Sequence, residues 1–123
     1  MNIELLERVK EAILANPQHF DMSCWGNLEK NNGGFTCNSA ACIAGWAVFL
    51  EKGIMLDNQD VESEAQRLLR LYDGEAYQLF YDSNWPDEFE DRYRDAAWAD
   101  NYAEIARAAA ARIDRFLATG GKE

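Results

Sequence analysis

"CNSAACIAGWAVFLEKG", residues 37–53, decides how the rest of the chain is read. Asn38 and Ser39 are both good helix caps. From there to Lys52 nearly every side chain is small or apolar, and Gly53 supplies a left-handed stop. A helix that is apolar over most of its surface belongs in the middle of a protein. The expectation is a central helix over about 39–52, with the remaining elements arranged around it. Gly45 within that helix costs about 1 kcal/mol of helix propensity against alanine. Something must offset that cost: another backbone, an aromatic ring or a ligand lying against it.

Outward from this segment, helical periodicity recurs. "NIELLERVKEAILANP" (2–17) places Ile3, Leu6, Val9 and Ile13 on one face, with Asn2 as cap and Asn16-Pro17 as terminator. Residues 18–36 read as a loop with aromatic anchors and a flexible "NNGG" tip at 31–34. "NQDVESEAQRLLRLY" (58–72) predicts a helix capped by Asp57 or Asn58. Its inner stripe is Val61, Ala65, Leu68 and Leu69, and Gly74 is its breaker. A short apolar helix follows at 75–81. "SNWPDEFEDRYRDA" (83–96) turns at Trp85-Pro86 and continues as a helix. "NYAEIARAAAARIDRFLATGG" (101–121) is the clearest helix, with Ile105, Ala109, Ile113 and Phe116 inward and Gly120-Gly121 at its end. No segment sustains strand alternation. The fold expected is all-α: a compact bundle of five to six helices forming a single domain over 1–123.

Bulk composition narrows the function classes. With 123 residues and 48% of them hydrophobic, the chain can bury a core without disulfide staples. No apolar run approaches the roughly 18 residues that a membrane helix needs. The N-terminus has no apolar leader segment, so the expected location is cytoplasmic and no membrane association is expected. The formal net charge is -10, and it is unevenly placed. Residues 1–53 carry six acids and four bases, whereas residues 54–103 carry thirteen acids against four bases. Such a middle segment repels nucleic-acid phosphates and attracts a basic protein surface. Direct nucleic-acid binding is therefore not expected. A solvated rim that serves solubility is the plainer use of the same charges.

Three chemistries compete for the cysteine segment. A reactive thiol is one, because a helix N-terminus lowers a thiol pKa and both Cys37 and Cys42 lie near the expected helix start. The base for such a thiol enzyme or redox sensor has to be His19, the single histidine. A structural metal site is another, from His19, Cys24, Cys37 and Cys42 in the spacing H-x4-C-x12-C-x4-C, which is looser than a zinc knuckle. Packing is the third: Cys42, Ile43, Trp46 and Phe49 as core, with Ala40, Ala41, Ala44, Gly45 and Ala47 letting neighbours close in. On the packing reading the cysteines stay reduced and metal-free, and no cofactor is expected. "DNQDVESE" (57–64) lacks the glycine and the final glutamate of a calcium loop.

The segment "CNSAACIAGWA" (37–47) also resembles the Cys-Gly-Thr-x-x-Cys-Ile-Ala-Gly-Trp/His-Ala pattern of a family of small, uncharacterised bacterial and phage-associated proteins. "LFYDSNWPDEF" (79–89), "ARIDRFLATGG" (111–121) and "ELLERVKEAIL" (4–14) are similar to its other segments, so the resemblance spans nearly the whole chain. Asn38 and Ser39 stand where the family has Gly-Thr. Cys37 and Cys42 match its cysteine pair, while Cys24 and His19 match nothing in it. The resemblance implies no activity.

With no complete catalytic constellation, a binding protein is expected rather than an enzyme. "LYDGEAYQLFYDSNWPDEFEDRYRDAAWAD" (71–100) mixes nine acids with aromatic residues, the composition of a recognition surface. The expected binding residues are Asp87, Glu88, Glu90, Asp91, Trp85 and Trp46, facing a protein partner with a basic surface. Asp57, Asp60, Glu62 and Glu64 form a second acidic helix start. Phage association, which the resemblance implies, makes inhibition of a host nucleic-acid enzyme the natural form of such binding. A thiol enzyme and a small-ligand carrier, holding its ligand in the space opposite Gly45, are the alternatives.

Overall fold

The computed structural model describes residues 1–31, 34–36 and 39–122. Six α-helices and one two-stranded hairpin account for the regular structure among them: α1 Ile3–Ala15, β1 Lys30–Asn31, β2 Gly34–Phe35, α2 Ile43–Lys52, α3 Asn58–Leu69, α4 Asp73–Phe80, α5 Asp87–Trp98 and α6 Tyr102–Thr119. Short 3-10 turns at Pro17–His19 and Asp82–Asn84 join them. The all-α expectation holds. No helix among the described residues is long and apolar enough to cross a membrane.

Local chemistry accounts for most helix ends. The Asn2 carboxamide accepts a hydrogen bond from the Leu5 N–H at 3.1 Å, and Asn101 does the same for Glu104 at 3.2 Å, each supplying an orphan donor of a first turn. Gly53 and Gly120 take left-handed conformations, φ 74° and 64°, at the ends of α2 and α6. α3 ends differently from expectation. Arg70, not a glycine, takes the left-handed position at φ 56°, and Leu71 N–H bonds back to the Gln66 carbonyl. Gly74 instead lies in the first turn of α4. The buried face of α1 is Leu5, Leu6, Val9 and Ile13, and Ile3 points outward.

The largest departure is the start of α2. The helix begins at Ile43, not at Ser39, because the backbone of 40–42 is extended and bonded sideways. Ala41 N–H donates to the His19 carbonyl (3.1 Å), and its own carbonyl accepts from Asp21 (3.0 Å). The Ala40 carbonyl accepts from Asn27 (2.9 Å), and Cys42 N–H donates to the Cys24 carbonyl (3.1 Å). Residues 40–42 thus run as a short strand between two parts of the preceding loop, bridged to Phe20 on one side and Gly26 on the other. These partners lie far away in sequence, so local propensity did not reveal them. On either side of the expected loop tip, Lys30 pairs antiparallel with Phe35 and Asn31 with Gly34. Asn32 and Gly33 of that tip, and Cys37 and Asn38 of the cysteine segment, lie outside the described residues.

Every residue from Ile43 to Phe49 is buried, and Trp46 is 1% exposed. α2 is therefore the central apolar helix. Around it the closest pairings are α2 with α3, α1 with α2, α1 with α6, and α5 with α6. The C-terminal helix packs principally on α1 and α5, with α1 between it and α2. Ala106, Ala108, Ala109 and Ala110 are all buried on α6 and let those helices approach closely. Arg112 is fully buried there. Its guanidinium donates to the Gln78 carbonyl at 3.4 Å and lies 5.6 Å from the centre of the Phe116 ring.

Candidate functional site

The cysteine segment resolves into a cap. Cys42 occupies the N-cap of α2: its sulfur accepts from the Gly45 N–H at 3.5 Å and its S–H donates to the Trp25 carbonyl at 3.7 Å. That same carbonyl stands against Gly45, where a β-carbon would overlap it. A neighbouring backbone is thus what offsets the glycine in the helix. The space opposite Gly45 is filled by Trp25 and Ala41, which leaves no room there for the small ligand expected on the carrier alternative. Trp46 completes the join, its indole N–H donating to the His19 carbonyl at 3.0 Å. Cys42, Gly45 and Trp46 together hold the 19–27 loop onto the first turn of α2.

This geometry argues against thiol chemistry at Cys42. A helix N-terminus lowers a thiol pKa, but burial acts the other way and dominates. Cys42 is 2% exposed, and burial pushes its pKa up to about 12, against the opposing pull of the Gly45 and Ala44 N–H groups. Cys24 is exposed, and partial burial together with the charge of Asp21 raises its thiol as well. Among the described residues His19 makes no hydrogen bond to either thiol. Its Nδ1 bonds to the Ser39 carbonyl at 2.6 Å, which makes Nδ1 the protonated nitrogen, and its ring packs on Phe35 at 5.1 Å. Among the described residues no three His, Cys, Asp or Glu side chains come together as metal donors, so His19, Cys24 and Cys42 do not form the cluster that the metal alternative would need. Cys37, the remaining member of the thiol and metal sets, lies outside the described residues.

Trp46 fits the packing reading as core, not its place among the expected binding residues, and Trp85 is corrected. Expected as binding anchors, they are 1% and 3% exposed and belong to the core. The Trp85 indole N–H is satisfied by the Leu79 carbonyl at 2.9 Å, and its ring meets Tyr93 edge to face. Their places at the surface are taken by Trp98, 92% exposed, and Tyr72, 82% exposed.

The acids at the start of α5 stand where the sequence puts them. Asp87, Glu88 and Asp91 are exposed, while Glu90 is half-buried. Asp87, Asp91, Asp95 and Trp98 follow one another at spacings of four, four and three, so they share one stripe on the solvent side of α5. The opposite side carries the buried Tyr93 and Ala96. Arg94 reaches Asp91 at 2.6 Å and Glu90 at 3.7 Å, and Arg115 reaches Glu88 at 3.3 Å. Asp87 and Asp95 make no ion pair among the described residues. The second acidic cluster is more neutralised: Glu64 pairs with Arg67 and Lys52, and Glu62 accepts from the Tyr81 hydroxyl at 2.6 Å. Trp98 was legible in principle, since the helical phase set by Phe89, Tyr93 and Ala96 points position 98 away from the core.

The fold and this surface define a small acidic helical protein whose one fully exposed tryptophan ends an acidic helix stripe. No family model, no curated protein and no solved structure matches the chain.

Proposed function

We propose that the solvent face of α5 binds a protein partner through a basic surface, with Trp98 as the apolar anchor. The observation that carries this reading is the exposure of Trp98 at the end of the Asp87–Asp91–Asp95 stripe. Tryptophan is the side chain most often found as an energetic anchor in interfaces, and a flanking rim of one charge selects partners of the other. Inhibition of a nucleic-acid enzyme through its phosphate-binding groove is one form such binding takes, because that groove offers the complementary charge.

The test compares the wild-type protein, Trp98→Ala, and a triple reversal of Asp87, Asp91 and Asp95 to Lys as baits in cells of origin, followed by affinity measurement on the partner recovered. A partner with a basic surface should bind the wild type, weaken by about tenfold or more with Trp98→Ala, and weaken steeply with salt. Binding that is indifferent to both variants and to salt overturns the reading.

A further inference from the structure

A second feature lies away from the α5 stripe and does not depend on it. Between the 22–25 loop and the end of α4 is a cleft of about 170 Å³, lined among others by Met22, Cys24, Trp25, Phe80, Tyr81 and Asp82. An apolar cavity of about 150 Å³ is large enough to hold a benzene ring, so this cleft takes a group of that size. Trp25 and Tyr81 meet at 90° with their centres 5.7 Å apart, forming an aromatic corner. Tyr77 backs Tyr81 at 5.4 Å, and the Tyr81 hydroxyl donates to the Glu62 carboxylate, which enriches the electron density of the ring. Among the described residues no lysine or arginine lines the cleft. The carboxylate of Asp82 has neither a hydrogen bond nor an ion pair among the described residues.

We propose that this cleft binds one organic cation, an ammonium or guanidinium group, held against the Trp25 and Tyr81 rings with Asp82 as its counter-charge. Aromatic faces attract cations through their quadrupole, more strongly once the cation leaves water, and adjacent aromatic walls are the usual means of recognising alkylated ammonium groups. The electrostatic surroundings agree. Asp21 acts on Cys24 and Tyr93, Glu62 on Tyr81, and Asp82 on Tyr93, so carboxylates lie around the cleft. The corner is thus a negative, partly desolvated recess. A lysine or arginine side chain of a protein and a free small ammonium compound share this chemistry.

Titration of the 15N-labelled protein with tetramethylammonium, methylguanidinium and Nα-acetyl-arginine amide distinguishes the sources. The expected result is a saturable shift of the Trp25 indole N–H and of the amides of Met22–Trp25, Tyr81 and Asp82, absent with the uncharged tert-butanol and methylurea. Asp82→Asn should weaken it about tenfold, as should Tyr81→Leu, read in its place if Asp82→Asn alters resonances elsewhere. Tighter binding of the arginine amide assigns the site to a protein side chain, and tighter binding of tetramethylammonium assigns it to a free ammonium. No saturable shift, an equal shift with the uncharged compounds, or full affinity in both variants overturns the proposal.

Discussion

The main-chain carbonyl of Trp25 occupies the position that a β-carbon on residue 45 would need, and only the absence of a side chain at Gly45 lets it do so. One carbonyl is thereby shared between the Cys42 thiol and the open face of α2. The loop, whose Phe20 and Met22 also enter the core, is registered against the central helix at that point.

Gly45→Ala should therefore destabilise the protein, although alanine is the better helix former. A new β-carbon meets the Trp25 backbone and stands 2.7 Å from the Ala41 β-carbon, and neither neighbour can swing away as a flexible side chain would. Overpacking of this kind costs about 1–3 kcal/mol, more than the ~1 kcal/mol of propensity regained. Gly74→Ala is the control: nothing stands within 4 Å of its added carbon, and the change should be neutral or stabilising by up to about 1 kcal/mol. Denaturant unfolding of the two variants checks both signs.

Thiol labelling with an alkylating reagent, resolved by fragment mass spectrometry, should modify Cys24 in the native protein and leave Cys42 intact until unfolding. Exposure separates the two, and the raised pKa of Cys24 makes its labelling slower than that of a free thiol. Rapid native labelling of Cys42 would contradict its place as a buried cap.

Stability should fall on the alkaline side. Cys42 and Tyr81 are pushed up to about 12, Cys42 by burial and Tyr81 first by its bond to Glu62, and burial raises Tyr93 further. Each keeps its proton in the folded state at pH values where the unfolded chain has lost it. Their contribution is complete below the unfolded thiol pKa of about 8.5 and is lost as pH rises toward 12. Thermal unfolding between pH 8 and 11 should show a monotonic decline, and a Cys42→Ala variant should show a shallower one relative to its own starting value.

Tyr93→Phe should cost about 1–3 kcal/mol, the price of leaving a buried donor unpaired. The Tyr93 hydroxyl accepts from the Met22 N–H at 3.0 Å, and both residues are buried. The same bond ties α5 to the loop that forms the aromatic cleft. Hydrogen exchange of the Met22 amide should accelerate in the variant while amides of α1 and α6 keep their protection.

Trp98→Ala should change stability by no more than about 0.5 kcal/mol, as surface substitutions without structural partners do. A loss of several kcal/mol in urea would place Trp98 in the core and remove the basis for the α5 interface.

Much of this molecule follows from sequence alone. Helical period, the caps at Asn2 and Asn101, and the glycine stops at Gly53 and Gly120 determine α1, α6 and the end of α2 because their causes lie within a few residues of their effects. The central place of α2 follows from its apolar circumference. The acidic start of α5 likewise survives folding, since charged side chains stay in water. What only the tertiary structure decides depends on partners distant in the chain. The 40–42 segment is extended because the backbone of 19–27 arrives beside it, which makes Cys42 a cap and not a residue within a helix. The Cys42 thiol is held protonated because burial outweighs the helix terminus, and burial is a property of the assembled fold. The aromatic residues of 71–100 divide between core and surface in the same way: Trp85 turns inward to the Leu79 carbonyl and the Tyr93 ring, while Trp98 is left in solvent by the phase of its helix.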